Sequence, residues 1–254
     1  MKATLRALLV LLALCAPAAA RAQSDGAKKV DEFGDVLASD WLARLDNYAI
    51  ELQNEPAATG HIVAYMAPNK SPGWPLRRAQ WARGYLLKAR GLDESRVQVV
   101  NGGYGDEPLY QLWVVGPGEK LPVAAFDYSA ALAREKTAYL FDRTPFFDNS
   151  PNKVEVDESG YAGYLDEKGH YAPFAEALRQ DPAARGYIIA YTTRRQRRGA
   201  DRKLAARAKL ALLRNHPIGA DRVVALGGGS GTYRLVEFWI VPPGAAPPKP
   251  TPQR

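Results

Sequence analysis

Arg96 to Gly118, RVQVVNGGYGDEPLYQLWVVGPG, returns once in the chain as Arg222 to Gly244, RVVALGGGSGTYRLVEFWIVPPG. The second stretch lies 126 residues after the first, and at that offset Arg96, Val97, Gly102, Gly103, Gly105, Leu109, Trp113, Val115, Pro117 and Gly118 fall on identical residues. The likeness reaches upstream, where Pro56, Ala57, Ala58, Gly60, Ile62, Ala64 and Tyr65 fall on Pro182, Ala183, Ala184, Gly186, Ile188, Ala190 and Tyr191. Self-similarity over that length marks a duplicated domain.

Both copies read as the same elements in the same order. Val30–Val36 reads as a short edge strand. From Asp40, which can cap a helix, Leu42, Leu45, Ala49 and Leu52 recur at helical spacing until Pro56 stops the pattern. His61–Met66 is a short β-rich apolar run and predicts a buried strand. A second helix is predicted over Leu76–Arg90, followed by strands at Arg96–Val100 and Tyr110–Val115 joined through a glycine turn. In the second copy the matching elements are a strand near Val154–Val156, a helix carrying Tyr171, Phe174 and Leu178, a strand at Gly186–Thr193, a helix over Asp201–Arg214, and strands at Arg222–Ala225 and Leu235–Val241.

Strand, helix, strand, helix, strand, strand predicts an α+β chain of two tandem two-layer sandwiches, repeat 1 over 28–118 and repeat 2 over 152–244. The linker between them, 119–151, holds a candidate helix at Tyr128–Leu140. Its Phe126, Tyr139, Phe141, Phe146 and Phe147 predict that it packs on a domain. Residues 245–254 form a proline-rich tail expected to be extended and mobile.

The first 22 residues read as a secretory signal peptide: Lys2 and Arg6, an apolar run over Ala7–Leu14, and Ala20-Arg21-Ala22 before the cut. Export to a bacterial periplasm is the expectation. Cys15, the one cysteine, leaves with the leader, and Leu14 stands where a lipobox wants a small residue, so no lipid anchor is expected. The mature chain then has no disulfide, which a domain of about 100 residues can do without. Loss of Lys2, Arg6 and Arg21 lowers the formal net charge of +7 by three, too little to name a partner.

The second helix and the segments after it carry a resemblance. Arg78-Ala79-Gln80, Tyr85-Leu86, Gly91, Ser95-Arg96-Val97 and Gly103-Tyr104-Gly105-Asp106 resemble the C-terminal OmpA-like domain of bacterial envelope proteins, with one extra helix residue before Gly91. The second copy keeps the layout with Gly227–Gly231 in place of the GGYGD segment. The resemblance implies a two-layer sandwich that binds peptidoglycan. In the family an aspartate and the arginine of the RAQ element grip the charged end of a diaminopimelate side chain, which suits charge-assisted hydrogen bonding. Gly60-His61 looks like the start of the family's aspartate-bearing segment. Counting onward puts the aspartate at Ala67 in the first copy and at Thr193 in the second, so neither supplies the acid. Arg78 fits the arginine; its counterpart is Leu204, with Arg207 one turn on. Arg78 and Arg207 are therefore the candidate ligand-binding residues.

A further candidate contact is the basic loop of Arg194, Arg195, Arg197 and Arg198, continued by Arg202 and Lys203. Such a run attracts anionic lipid, wall polymer or an acidic protein. It lacks the interleaved aromatic residues that would suit nucleic acid. Trp113 and Trp239 read as sheet residues, whereas Trp74 in the loop SPGWP either packs on its own domain or stacks on a sugar. The glycine clusters join strands, with no helix opening after them to cradle phosphate. His61, His170 and His216 stand in unrelated contexts without metal-ligand spacing, and no nucleophile elbow occurs. The reading is a binder without catalytic residues, metal or cofactor, whose partner is peptidoglycan or another envelope protein.

Overall fold

The computed structural model describes residues 26–68, 70–124, 126–127, 136–145, 167–232 and 234–251. Its first unit is β1 (Lys28–Phe33), α1 (Ala38–Asn54), β2 (Thr59–Met66), α2 (Gly73–Lys88), β3 (Val97–Tyr104) and β4 (Leu109–Val115). The second is β5 (Tyr139–Pro145), α3 (Glu167–Gln180), β6 (Arg185–Thr193), α4 (Ala200–Asn215), β7 (Val223–Gly231) and β8 (Leu235–Val241). The fold is mixed α/β, with two four-stranded sheets ordered β1-β4-β2-β3 and β5-β8-β6-β7. In each sheet one inner strand runs parallel to one neighbour and antiparallel to the other: β2 is parallel to β3 and antiparallel to β4, as β6 is to β7 and β8.

Register repeats with the sequence. Gly60 faces Val97 as Gly186 faces Val223, and Thr59 faces Val115 as Arg185 faces Val241. The edge strands break the offset. β1 and β5 pair with β4 and β8 through the same bulge, after Lys29 and after Leu140, so Asp31 corresponds to Asp142. The second edge strand thus comes from the stretch expected to be linker. It begins at Tyr139–Leu140, where the pattern predicts the end of a helix, and the expected strand at Val154–Val156 lies outside the described residues, as do residues 1–22.

Other boundaries shift for local reasons. α1 starts after Leu37, which has no side-chain cap, so Asp40 sits inside the first turn; the buried face is Trp41, Leu45, Tyr48, Ala49 and Leu52, with Leu42 at its margin. α2 begins at Gly73, earlier than expected, because Pro75 is tolerated in a first turn; Trp74 is therefore helical and not in a loop. The glycine clusters lie within β3 and β7. The rings of Tyr65 and Tyr191 stand where a Cβ at Gly102 and Gly228 would go, and Gly103 and Gly229 have φ of +94° and +92°.

Inward-facing Ile62, Ala64, Met66, Tyr110 and Leu112, the counterparts of all but Met66 (Ile188, Ala190, Val236 and Phe238), and the buried faces of α1, α2, α3 and α4 form one continuous apolar cluster. The units are joined by burial as well as by sequence. α2 packs against α3 and along β5. At that contact a Cβ on Gly73 would lie 2.7 Å from the Asp142 Cβ and from the Phe141 ring. Arg77 Nε donates to Asp142 Oδ2 at 2.9 Å, and the two side chains are only 11% and 7% exposed.

The opposite face of the second sheet holds a smaller apolar cluster of Ile189, Tyr191 and Leu235 with Leu226 and Trp239. The proline-rich tail returns to this face. After a turn closed by Ala245 N–H on the Pro242 carbonyl, the chain buries Pro248, and Thr251 N–H donates to Tyr191 Oη at 3.1 Å. The tail, expected to be mobile, is held on this face at Pro248 and Thr251.

Candidate functional site

In each unit the C-terminal ends of the two parallel strands meet the N-terminus of the helix between them, the usual place for a ligand beside a parallel pair. In the first unit buried side chains line that place. Ala67 is fully buried, so a methyl group occupies the position the resemblance gives to an acid. Arg78 is 8% exposed, and its guanidinium carbon lies 4.4 Å from the centre of the Trp74 ring, where Lys70 Nζ also sits at 5.4 Å. Trp74 is thereby engaged by two cations of its own unit, which answers the choice left open by the sequence in favour of packing. Arg77, one residue earlier, is turned into the contact with Asp142.

The connector packs beside them. Phe126 lies 3.2 Å from where a Gly103 Cβ would stand, meets the Tyr104 ring edge-on with centroids 5.6 Å apart, and donates its N–H to the Asn101 carbonyl at 3.1 Å. Phe126 and Asp142 are the residues that sequence reasoning does not assign to this place. The aromatic content of the connector points to the first; nothing points to the second, whose counterpart Asp31 serves its own unit by accepting from Arg44 Nη1 at 2.7 Å.

The second unit's strand end differs at each position. Thr193 is half-buried, Leu204 is buried where the first unit has Arg78, and Arg207 is exposed further along α4. Arg78 and Arg207 are therefore not brought together: one is a buried side chain of the first unit and the other an exposed one of the second. Between β6 and α4 the loop turns twice, with Gln196 N–H on the Thr193 carbonyl and Ala200 N–H on the Arg197 carbonyl, and Gly199 at φ +81° leads into α4. Asp201 Oδ2 accepts from Gly229 N–H at 2.9 Å and ties the helix start to β7. Around this frame Arg194, Arg195, Arg197, Arg198, Arg202 and Lys203 are all exposed. None of the six is ion-paired among the described residues.

Among the described residues no group of three His, Cys, Asp or Glu side chains is arranged to hold a metal, and no helix is long and apolar enough to cross a membrane. No protein-family model matches the chain, and no curated protein matches it.

Proposed function

We propose that the protein is a non-catalytic binding protein of the bacterial cell envelope, exported to the periplasm, and that it engages an acidic partner protein through the basic strand end of its second unit. One observation carries this reading. The two equivalent strand ends differ: the first holds the buried Ala67 and Arg78 with Phe126 and β5 packed beside them, and the second is ringed by six exposed cations, with Asp201 committed to the Gly229 N–H. Six like charges held together stabilise nothing within the chain, and their field accelerates and orients encounter with an anionic surface. Peptidoglycan binding, which the OmpA-like resemblance implies, receives less support. A clamp needs an acid and an arginine side by side, and the candidate positions hold Ala67 with a stacked Arg78 in one unit and Thr193 with Leu204 in the other.

The test uses the chain from Gln23 onward and two probes, poly-L-glutamate and insoluble peptidoglycan, over a salt series. Binding of the polyanion should weaken at least tenfold in a variant with serine at positions 194, 195, 197 and 198, and should fall steeply with salt in the parent. Saturable sedimentation with peptidoglycan that Arg78→Ala abolishes, with the serine variant unaffected, would overturn the reading in favour of the glycan clamp.

A further inference from the structure

The outer faces of the two sheets are built alike, and one of them is occupied. On the second sheet Tyr191 Oη donates to Glu237 Oε2 at 3.3 Å and Trp239 Nε1 donates to the same oxygen at 3.0 Å. On the first, Tyr65 Oη donates to Gln111 Oε1 at 3.3 Å and Trp113 Nε1 donates to it at 2.9 Å. The aliphatic floor also matches, Ile189, Leu226 and Leu235 standing where Val63, Val100 and Leu109 do. Each face is thus a shallow cradle with a tyrosine and a tryptophan oriented by one amide or carboxylate. The tyrosine oxygen, having donated its proton, keeps lone pairs for an incoming N–H.

The occupant of the second cradle shows what it takes. β8 ends where Val241 faces Arg185, and Thr251 reaches Tyr191 at the other end of β6. Residues 245–251 therefore cross the length of the sheet. A polyproline II segment from Ala245 to Thr251 extends about 19 Å at about 3.1 Å per residue, and β6 from Arg185 to Tyr191 about 20 Å at about 3.3 Å per residue. The match explains why an extended proline-rich segment fits, since its shape is fixed before it docks and little entropy is lost on docking. Proline supplies no N–H, so the tyrosine selects a non-proline residue at the end of the run, as Thr251 follows Pro247-Pro248-Lys249-Pro250. Seating the tail leaves Tyr191 and Leu235 buried, whereas Tyr65 and Leu109 stay partly open; Trp113 and Trp239 are half-buried alike, and Lys29 Nζ sits 5.9 Å over the Trp113 ring.

We propose that the outer face of the first sheet is a docking surface for a proline-rich, extended segment of a partner protein, ending in a residue with a free backbone N–H that reaches Tyr65. The chain's own tail is not that segment. It is tethered to β8 and holds its own cradle at the high local concentration that a short tether provides. The same tethering applies to the tail of a second copy.

The probe is a synthetic peptide of residues 244–254, GAAPPKPTPQR, titrated into the chain from Gln23 onward and into a chain ending at Gly244. The longer chain should bind one peptide saturably and the shorter chain two. Trp113→Ala should weaken binding to the longer chain at least tenfold, and Tyr65→Phe, which keeps the ring and loses the acceptor, about threefold. Circular dichroism and melting monitor folding; should Trp113→Ala fail to fold, Tyr65→Phe alone decides. The proposal is overturned if the longer chain binds no peptide while the shorter binds one, or if Tyr65→Phe leaves the affinity unchanged. It is also overturned if the longer chain self-associates and tail removal abolishes the association, which would make a second copy the occupant.

Discussion

Arg96 and Arg222 are kept in both copies because each closes a helix. Arg96 Nη2 donates to the carbonyls of Leu52, Glu55 and Ala58 at 2.7, 2.9 and 3.0 Å, and Arg222 Nη2 to those of Leu178, Asp181 and Ala184 at 2.6, 2.7 and 2.8 Å. Leu52 and Leu178 lie in the last turns of α1 and α3 and Glu55 and Asp181 just beyond, so each arginine sits at the negative end of a helix dipole and ties it to the Ala58 or Ala184 carbonyl ahead of the next strand. Arg96→Ala should lower unfolding free energy by about 3 kcal/mol, with Arg96→Lys losing about half as much, read from urea denaturation. A neutral result would mean that water satisfies those carbonyls equally well. His61 offers a pH test. Burial lowers its pKa below the usual imidazole value near 6.5, and Nε2 shares its contact with the Thr59 hydroxyl at 3.0 Å. Below about pH 6.5 the unfolded chain takes up a proton that the folded one refuses, so stability is lost as pH falls from 7 toward the lowered folded value. His61→Gln should remove that slope between pH 7 and 5; an unchanged slope assigns it elsewhere.

At the scale of elements, contact between helix and sheet is set by glycine. A Cβ on Gly60 would lie 2.6 Å from Tyr48 Oη and 2.7 Å from Leu52 Cδ1, and one on Gly186 would lie 2.8 Å from Leu178 Cδ1 and from Phe174 Cζ. Either glycine changed to alanine should push α1 or α3 off its strand and destabilise by about 1–3 kcal/mol, with a matching fall in melting temperature. Elements with strong periodicity are legible from residues alone: the leucines of α1, the apolar runs of β2 and β6, and the terminal strands ending in Val115 and Val241. The full extents of β1 and β5 are not, because KKVDEF and YLFDRTP are bulged edge strands whose alternation is interrupted at Val30 and Phe141. Likewise, glycines that look like a turn continue as strand when a neighbouring tyrosine ring needs the space of their missing side chains. The site is legible only as an absence. Ala67 and Thr193 disclose the missing acid, but the covering of one strand end by Phe126 and Asp142 depends on contacts far apart in sequence, which no local pattern encodes.

For the whole molecule, the apolar cluster running through both units predicts that they unfold together. Calorimetry should give one transition, and two resolved transitions would show that the units are independent. Asp142→Ala leaves the buried Arg77 charge without its carboxylate and should destabilise by about 3–5 kcal/mol. Replacing the pair together, Arg77→Met with Asp142→Leu, should be close to neutral, which separates a stranded charge from an indispensable bond. Because this contact joins the helix start of one unit to the edge strand of its copy, it is a head-to-tail union, and head-to-tail unions between like units propagate into fibres unless something stops them. Here both outer ends are spoiled for further growth. Asp31 already holds Arg44 and is not offered outward, while the exposed start of α4 carries Lys203 in place of Arg77, inside a ring of positive charge that repels its own kind. The pairing that joins the two units is therefore not repeated at either outer end.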